Sequence, residues 1–501
     1  MVTGAVAEPA QLPVAGQAGL ASRAGVAGQA ELAGQPGVAG QAELAGQPGL
    51  TAADVMDYLP RRFTGWATRR SLAPNSATGI SFVLALCAAA WFSGGTRPDS
   101  TKGALALGGG YLAAWAAQLL LWAAAGTAGP AAPADLAPAD LAHAGLAHAG
   151  LAHAGLAHAG LAPSAAATAD SGIADAERLA ALVGALSEYA VYAGLAVGAR
   201  AARWSGVWEL ATAVIILTSV CQTVRACNEP VDDAGTCRQA RTAGSWLAGN
   251  PARAARLVLI AVVATVWDAR TALAALLFLG GAATAYAMRP HRPGAVAAAG
   301  EAGSAGGALP MRQRSPERIA RCRDDGKIAR LLGQLVRGNL PALPPALAGL
   351  AATVTLAVLG LRNLPGLLVL TPLVAMMLAA PGSAYPHAGR LDWLVPAMLQ
   401  AGQFLYIAAV GFGCGVPAPL TFALCGLVAL RYAALVDPAL PGRGDRLELS
   451  GGLGWEGRML VVGLGAMTGL PTLAYGALTA YLGVLVCSKI MTSCHLEGAG
   501  R

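Results

Sequence analysis

Between Ser76 and Val486 the chain is a succession of apolar runs, most of them long enough to cross a bilayer, broken by short arginine-rich clusters. About 20 apolar residues in a helix span the ~30 Å hydrocarbon layer, and the helix satisfies its own backbone where lipid offers no partner. Only 12% of the residues are charged, against roughly 25% in a typical soluble protein. A water-facing surface cannot be built from so few charges, so lipid must cover much of the chain. Aromatics are 5%, there are 65 glycines, and the apolar content is mostly Ala, Leu and Val. That composition suits helices packed closely through small residues. The fold expected is an all-α, polytopic transmembrane helical bundle.

Residues 1–53 are low complexity; a VAGQAELAGQPG unit runs from Val26 to Gly37 and again from Val38 to Gly49. With no large side chains to build a core, this segment is expected to be disordered. The stretch from Asp54 to Arg70 sets Arg61, Arg62, Arg69 and Arg70 around Phe63 and Trp66, a composition suited to an inner membrane surface. Spans are expected over 76–92, 103–125, 179–197 and 207–224, with a hairpin of two more in 255–287 broken by Asp268 and Arg270. A low-complexity insert occupies 128–168. After a basic linker, 291–340, a second membrane domain (341–495) offers spans at 346–361, 364–379, 391–412, 419–436, 459–470 and 472–486. The total is about twelve spans in two six-span halves.

The net charge of +7 is spread over clusters between the runs. Six spans put segments 61–70, 225–256 and 289–337 on one side, which the positive-inside rule assigns to the cytoplasm, with both termini. The location expected is the cell membrane. No basic stripe is interleaved with aromatics, so nucleic acid is not an expected partner. The first apolar run follows an arginine-rich stretch after residue 75 and lacks the form of a secretory signal.

Several local patterns carry weak chemistry. Cys221, Cys227 and Cys237 cluster without a nearby His, whereas Cys87, Cys414, Cys425 and Cys487 lie inside apolar runs. His143, His148, His153 and His158 recur every five residues and so cannot share one helix face. Asp325 to Arg330 reads D-G-x2-A-R in the linker and is expected to be a solvated helix. Gly452 to Gly457 reads G-x-G-x-x-G before Arg458, without the preceding strand that a dinucleotide fold needs. It is expected to be a turn, with a headgroup phosphate contact as the alternative. Gln118, Gln222, Gln400, Gln403 and Glu188 fall inside spans, where polar groups need partners. Asp392 and Trp393 read as interfacial anchors.

The segment LAPNSATGISFVLALCAAAWFSGG, Leu72 to Gly95, resembles the entry to the first helix of the CDP-alcohol phosphatidyltransferase family, which reads L-T-P-N-x-x-T. Leu72, Pro74, Asn75 and Thr78 match, and Ala73 replaces the Thr. Ser187 to Trp204 is similar to that family's third helix, so the resemblance covers roughly 54–290. It implies transfer of a phosphoryl-alcohol group from a CDP donor to an acceptor alcohol in phospholipid metabolism. That chemistry uses Mg²⁺ or Mn²⁺ on the pyrophosphate, held by the carboxylates of D-G-x2-A-R-x8-G-x3-D-x3-D. The chain departs from this set. No Asp ends the second span, and the last two Asp positions fall on Ala180 and Gly184. Asp170, Asp175 and Glu177 stand nearby at a different spacing.

The resemblance therefore implies Asn75, Thr78 and Glu188 as substrate-contacting residues, Asp170, Asp175 and Glu177 as alternative metal ligands, and no assigned catalytic residue. The partners expected are membrane lipids and a CDP-alcohol nucleotide, with a homodimer as the assembly. The alternatives are a non-catalytic membrane scaffold that binds lipid or a partner, and, third, a transporter.

Overall fold

The computed structural model describes residues 74–127, 165–228, 251–289, 319–320, 322–336, 340–359, 366–384, 391–436 and 453–498. Among these, every regular element is helical. The first six are α1 (Pro74–Ser93), α2 (Arg97–Thr127), α3 (Ala165–Ala201), α4 (Val207–Asn228), α5 (Pro251–Val266) and α6 (Ala269–Ala287). A short helix α7 (Lys327–Leu335) precedes α8 (Leu343–Leu359) and a broken segment, Gly366–Ala384, that contains α9 (Thr371–Met377). Then come α10 (Val395–Gly413), α11 (Ala418–Val436), α12 (Trp455–Met467) and α13 (Pro471–Gly498). The Asp54–Arg70 stretch, the histidine repeat and Cys237 lie outside the described residues.

Among the described residues, eight helices are long and apolar enough to cross a membrane: α1, α2, α3, α4, α6, α10 with the turn before it, α11 and α13. The other four expected spans fall on α5, α8, the broken segment and α12. These are helical but shorter. Asp268 and Arg270 break the fifth run from the sixth for a local reason. Asp268 caps α6 by accepting from the Thr271 N–H at 2.6 Å, and Arg270 lies over the Trp204 ring, 4.7 Å from its centroid. Tight hairpins turn on glycines in the left-handed region, such as Gly206 at φ 73 and Gly415 at φ 71.

Small residues set how closely the helices approach. On α3, Gly194 and Gly198 are four apart and so share a face. A Cβ on Gly194 would run into the carbonyl oxygen of Ala89, and one on Gly198 into that of Phe92. The backbones of α1 and α3 thus touch along a small-x3-small stripe, where dispersion contacts replace the hydrophobic drive that lipid removes. The core continues past the sixth helix. α4 packs against α10 and α11, Trp208 meets Phe422 edge-on with centroids 5.3 Å apart, and Gln400 Nε2 donates to Ser219 Oγ at 2.7 Å.

Gly198→Ala is expected to cost about 1–3 kcal/mol through overpacking. Gly79→Ala, where an added Cβ meets nothing within 4 Å, should be neutral or mildly stabilising. Thermal unfolding of the two variants in detergent compares them directly.

Candidate functional site

Helix α3 advances Glu177, Ala180, Gly184 and Glu188 in steps of three and four, so all four lie on one face. The opening turns of α5 bring Arg253 and Arg256, three residues apart, against that face. Arg256 Nε donates to Glu188 Oε1 at 2.6 Å and its Nη2 to Oε2 at 3.1 Å. Arg253 Nε lies 3.9 Å from Glu188 Oε2, too far for a hydrogen bond. Tyr192, one turn along α3, donates its hydroxyl to Oε1. Two guanidiniums against one carboxylate leave the group with a net positive charge.

This cluster closes one wall of a cavity with a volume of about 80 Å³, room for a few waters or a phosphate-sized group. Thr78, Ser81, Gln118, Ser187, Glu188 and Arg253, with Tyr111, supply its polar lining; Leu107, Ala114 and Leu257 are among its apolar walls. Of the residues expected from sequence, Thr78, Glu188 and Gln118 meet here. Asn75 stands one turn before Thr78 on α1, outside the lining. Ala180 and Gly184, the positions where the resemblance puts two aspartates, both line the cavity. Arg253 occupies that space: a Cβ on Gly184 would collide with its guanidinium, and its Nη2 donates to the Gly184 carbonyl. Arg253 Nε is buried without a hydrogen-bond acceptor.

These residues do not fit Mg²⁺ or Mn²⁺. Among the described residues, Glu188 is the one carboxylate of the lining and is held by two arginines and a tyrosine. Among the described residues no group of three or more His, Cys, Asp or Glu could hold a metal ion. Along α3 the helical rise sets Glu177, Asp175 and Asp170 about 16, 20 and 27 Å from Glu188. The side chains of Asp170 and Asp175 lie outside the described residues. In sequence Arg253 and Arg256 read only as part of a basic segment; their i, i+3 spacing at the start of an apolar run is the signal that sets them apart.

A second polar cluster forms where two sequence patterns meet. Asp324 and Gly326 are buried and Asp325 is half-buried, while Lys327, Ile328 and Arg330 of the expected solvated helix are exposed. Asp324 accepts from Arg431 Nε and Nη2 at 2.9 and 3.0 Å and from Arg458 Nη2 at 2.5 Å. Asp325 is paired with Arg323 at 2.7 Å and accepts from the Trp455 indole N–H at 2.9 Å. Glu456 accepts from the backbone N–H groups of Gly326 and Ala329 at 3.1 and 3.2 Å, so a carboxylate sits on the free N–H groups that open α7. The glycines of both patterns serve close approach. A Cβ on Gly454 would strike the Gly326 backbone. Arg458 is fully buried and faces Asp324 and Gln403 instead of a lipid phosphate. Gln403 Oε1 accepts from Tyr432 and Arg458. Asp392 and Trp393 are buried as well, and Trp393 packs with Val224, Cys227, Ile319 and Cys322.

The profile of a family of unknown function (DUF5941) matches residues 313–496, which takes in this second cluster but not the arginine-lined cavity. No curated protein and no solved structure matches the chain.

Burial pushes the Asp324 carboxyl up, but Arg458 and Arg431 outweigh it and hold the group below its ordinary value of 3.8. A carboxyl held low in the folded chain stabilises it above that value and loses the contribution as pH falls through the folded one. Asp324→Asn is expected to cost about 3–5 kcal/mol by stranding two buried guanidiniums, and Glu456→Gln about 1 kcal/mol. Thermal unfolding at neutral pH measures both, and the Asp324→Asn deficit should shrink as pH is lowered below 3.8.

Proposed function

We propose that this chain is a multi-pass membrane protein, related in its first six helices to the CDP-alcohol phosphatidyltransferases, that holds an anionic lipid headgroup on arginine without turning it over. In this reading α1–α6 are six crossings. α8, the Gly366–Ala384 segment and α10–α13 are six more, the shorter ones sheltered by their neighbours. Arg225, Arg253, Arg256, Arg289, Arg323 and Arg431 then gather at one end of the bundle, which the positive-inside rule assigns to the cytoplasm. The cavity opens at that end, level with the inner leaflet of the cell membrane.

One observation carries the proposal. The Arg253 guanidinium stands in the space where the resemblance asks for a metal-binding aspartate, and it keeps a buried donor without an acceptor. An unmet buried donor costs about 1–3 kcal/mol, and a phosphate oxygen would supply the acceptor in its strongest, charge-assisted form. Ser81, Ser187 and Gln118 add neutral polar groups beside it.

The purified protein, given CDP-diacylglycerol, a panel of alcohols and Mg²⁺ or Mn²⁺, is expected to release no CMP while an active phosphatidyltransferase does. It is expected to retain anionic phospholipid in native mass spectrometry. Arg253→Gln should weaken that retention by about tenfold or more, the worth of one charge-assisted hydrogen bond. Metal-dependent CMP release would overturn the non-catalytic reading, and unchanged lipid retention in Arg253→Gln would remove the site.

A further inference from the structure

The short helix α7 divides into three sectors when its residues are set at 100° intervals. Ala329 and Gly333 are buried against the bundle, where α7 packs on the Ala380–Ala384 turn. Next to that face, Ile328, Leu331 and Leu335 fall within an arc of about 60° and are 44%, 57% and 70% exposed. Beyond them lie Lys327, Arg330 and Gln334, all exposed. The helix has no acidic residue. An apolar stripe left open between a packed face and a basic edge is the arrangement of a helix that lies in a membrane interface.

The position of α7 agrees with this. Just before it, Ile319 and Cys322 pack with Val224 and Cys227 at the end of α4 and with Trp393 and Ala397 at the start of α10. Asp324 is gripped by Arg431, near the end of α11. Each of these helices reaches the same end of the bundle. The open stripe of α7 therefore lies where the transmembrane helices leave the hydrocarbon. Glu456 on its first N–H groups and Asp324 on Arg431 and Arg458 fix its N-terminus there.

We infer that α7 is a membrane-surface helix, with Ile328, Leu331 and Leu335 seated among the headgroups and upper acyl chains of an anionic bilayer and Lys327 and Arg330 against lipid phosphates. The occupant is lipid because the stripe is apolar, it is flanked by Lys327 and by Arg330, which also donates to the Asp325 and Gly326 carbonyls, and it sits at the level of the headgroups. The inference rests on the chain being a membrane protein and is independent of the Arg253 cavity.

The test places a benzophenone amino acid at Leu331 of the full chain in nanodiscs. A second variant at Phe278, 82% exposed on the transmembrane helix α6, reports that lipid is within reach of the probe. Lipid adducts are expected at both positions. At Leu331 they should favour phosphatidylglycerol over phosphatidylcholine by about fivefold, the enrichment that one basic residue near the surface supplies, and Lys327→Gln should lower that preference. Lipid adducts at Phe278 with none at Leu331 would overturn the inference, and so would a Leu331 adduct to another segment of the chain or to a second copy. Equal adducts with both lipids would overturn its electrostatic part.

Discussion

A charge held inside an apolar bundle needs a counter-charge, since an unpaired ion there costs several kcal/mol. This chain meets the requirement twice in the same form, although Arg253 Nε and Arg458 Nε and Nη1 keep no acceptor. Glu188 is held by Arg256 and Arg253, and Asp324 by Arg431 and Arg458. In each case one carboxylate orients two arginines from other segments of the chain. The first pairing fixes α5 against α3. The second draws the segment before α7 onto α11 and α12. With so few aromatics to lock the packing, these clusters and the glycine crossings set which helices meet.

The two clusters differ in what they leave over. Around Asp324 the charges balance: Arg323, Arg431 and Arg458 face Asp324, Asp325 and Glu456, with donors from Trp455 and two backbone amides completing the carboxylates. This is the composition of a clasp, tying residues 322–329 to a helix start some 130 positions later in sequence. Around Glu188 the charges do not balance, and the surplus arginine lines a cavity. An arrangement of the first kind holds a fold together; one of the second kind has capacity for an anion. This difference in charge, more than position in the chain, is why the binding proposal rests on the N-terminal half although the family match lies over the C-terminal one.

The helical class was legible because hydropathy and a low charge fraction leave lipid as the only solvent that fits, and helix positions followed from the apolar runs. Span number was less so. α5, α8 and α12 read as crossings on composition yet stop short in length, since sequence does not show how far a helix continues before a loop takes over. Thr78 and Glu188, which the structure brings to one cavity, stand out in one dimension as part of a local motif and as a charge inside an apolar run. Arg253 was missed because it is one of many arginines in a loop, and its importance comes from a glycine 69 residues earlier. Taken alone in sequence, the D-G-x2-A-R pattern reads as a solvated helix and the G-x-G-x-x-G pattern as a turn. Their glycines are explained by a backbone-to-backbone contact that only the fold brings about.

The same reasoning separates resemblance from activity at the cavity. A metal-dependent phosphoryl transfer site needs carboxylates that are free to take a cation, so its empty state is strongly acidic and hydrated. Here the inward face of α3 offers Ala180 and Gly184, and the remaining acid is already neutralised by arginine. A guanidinium at this position gives the cavity a positive field, the opposite of what a cation site requires, and leaves Arg253 Nε without an acceptor.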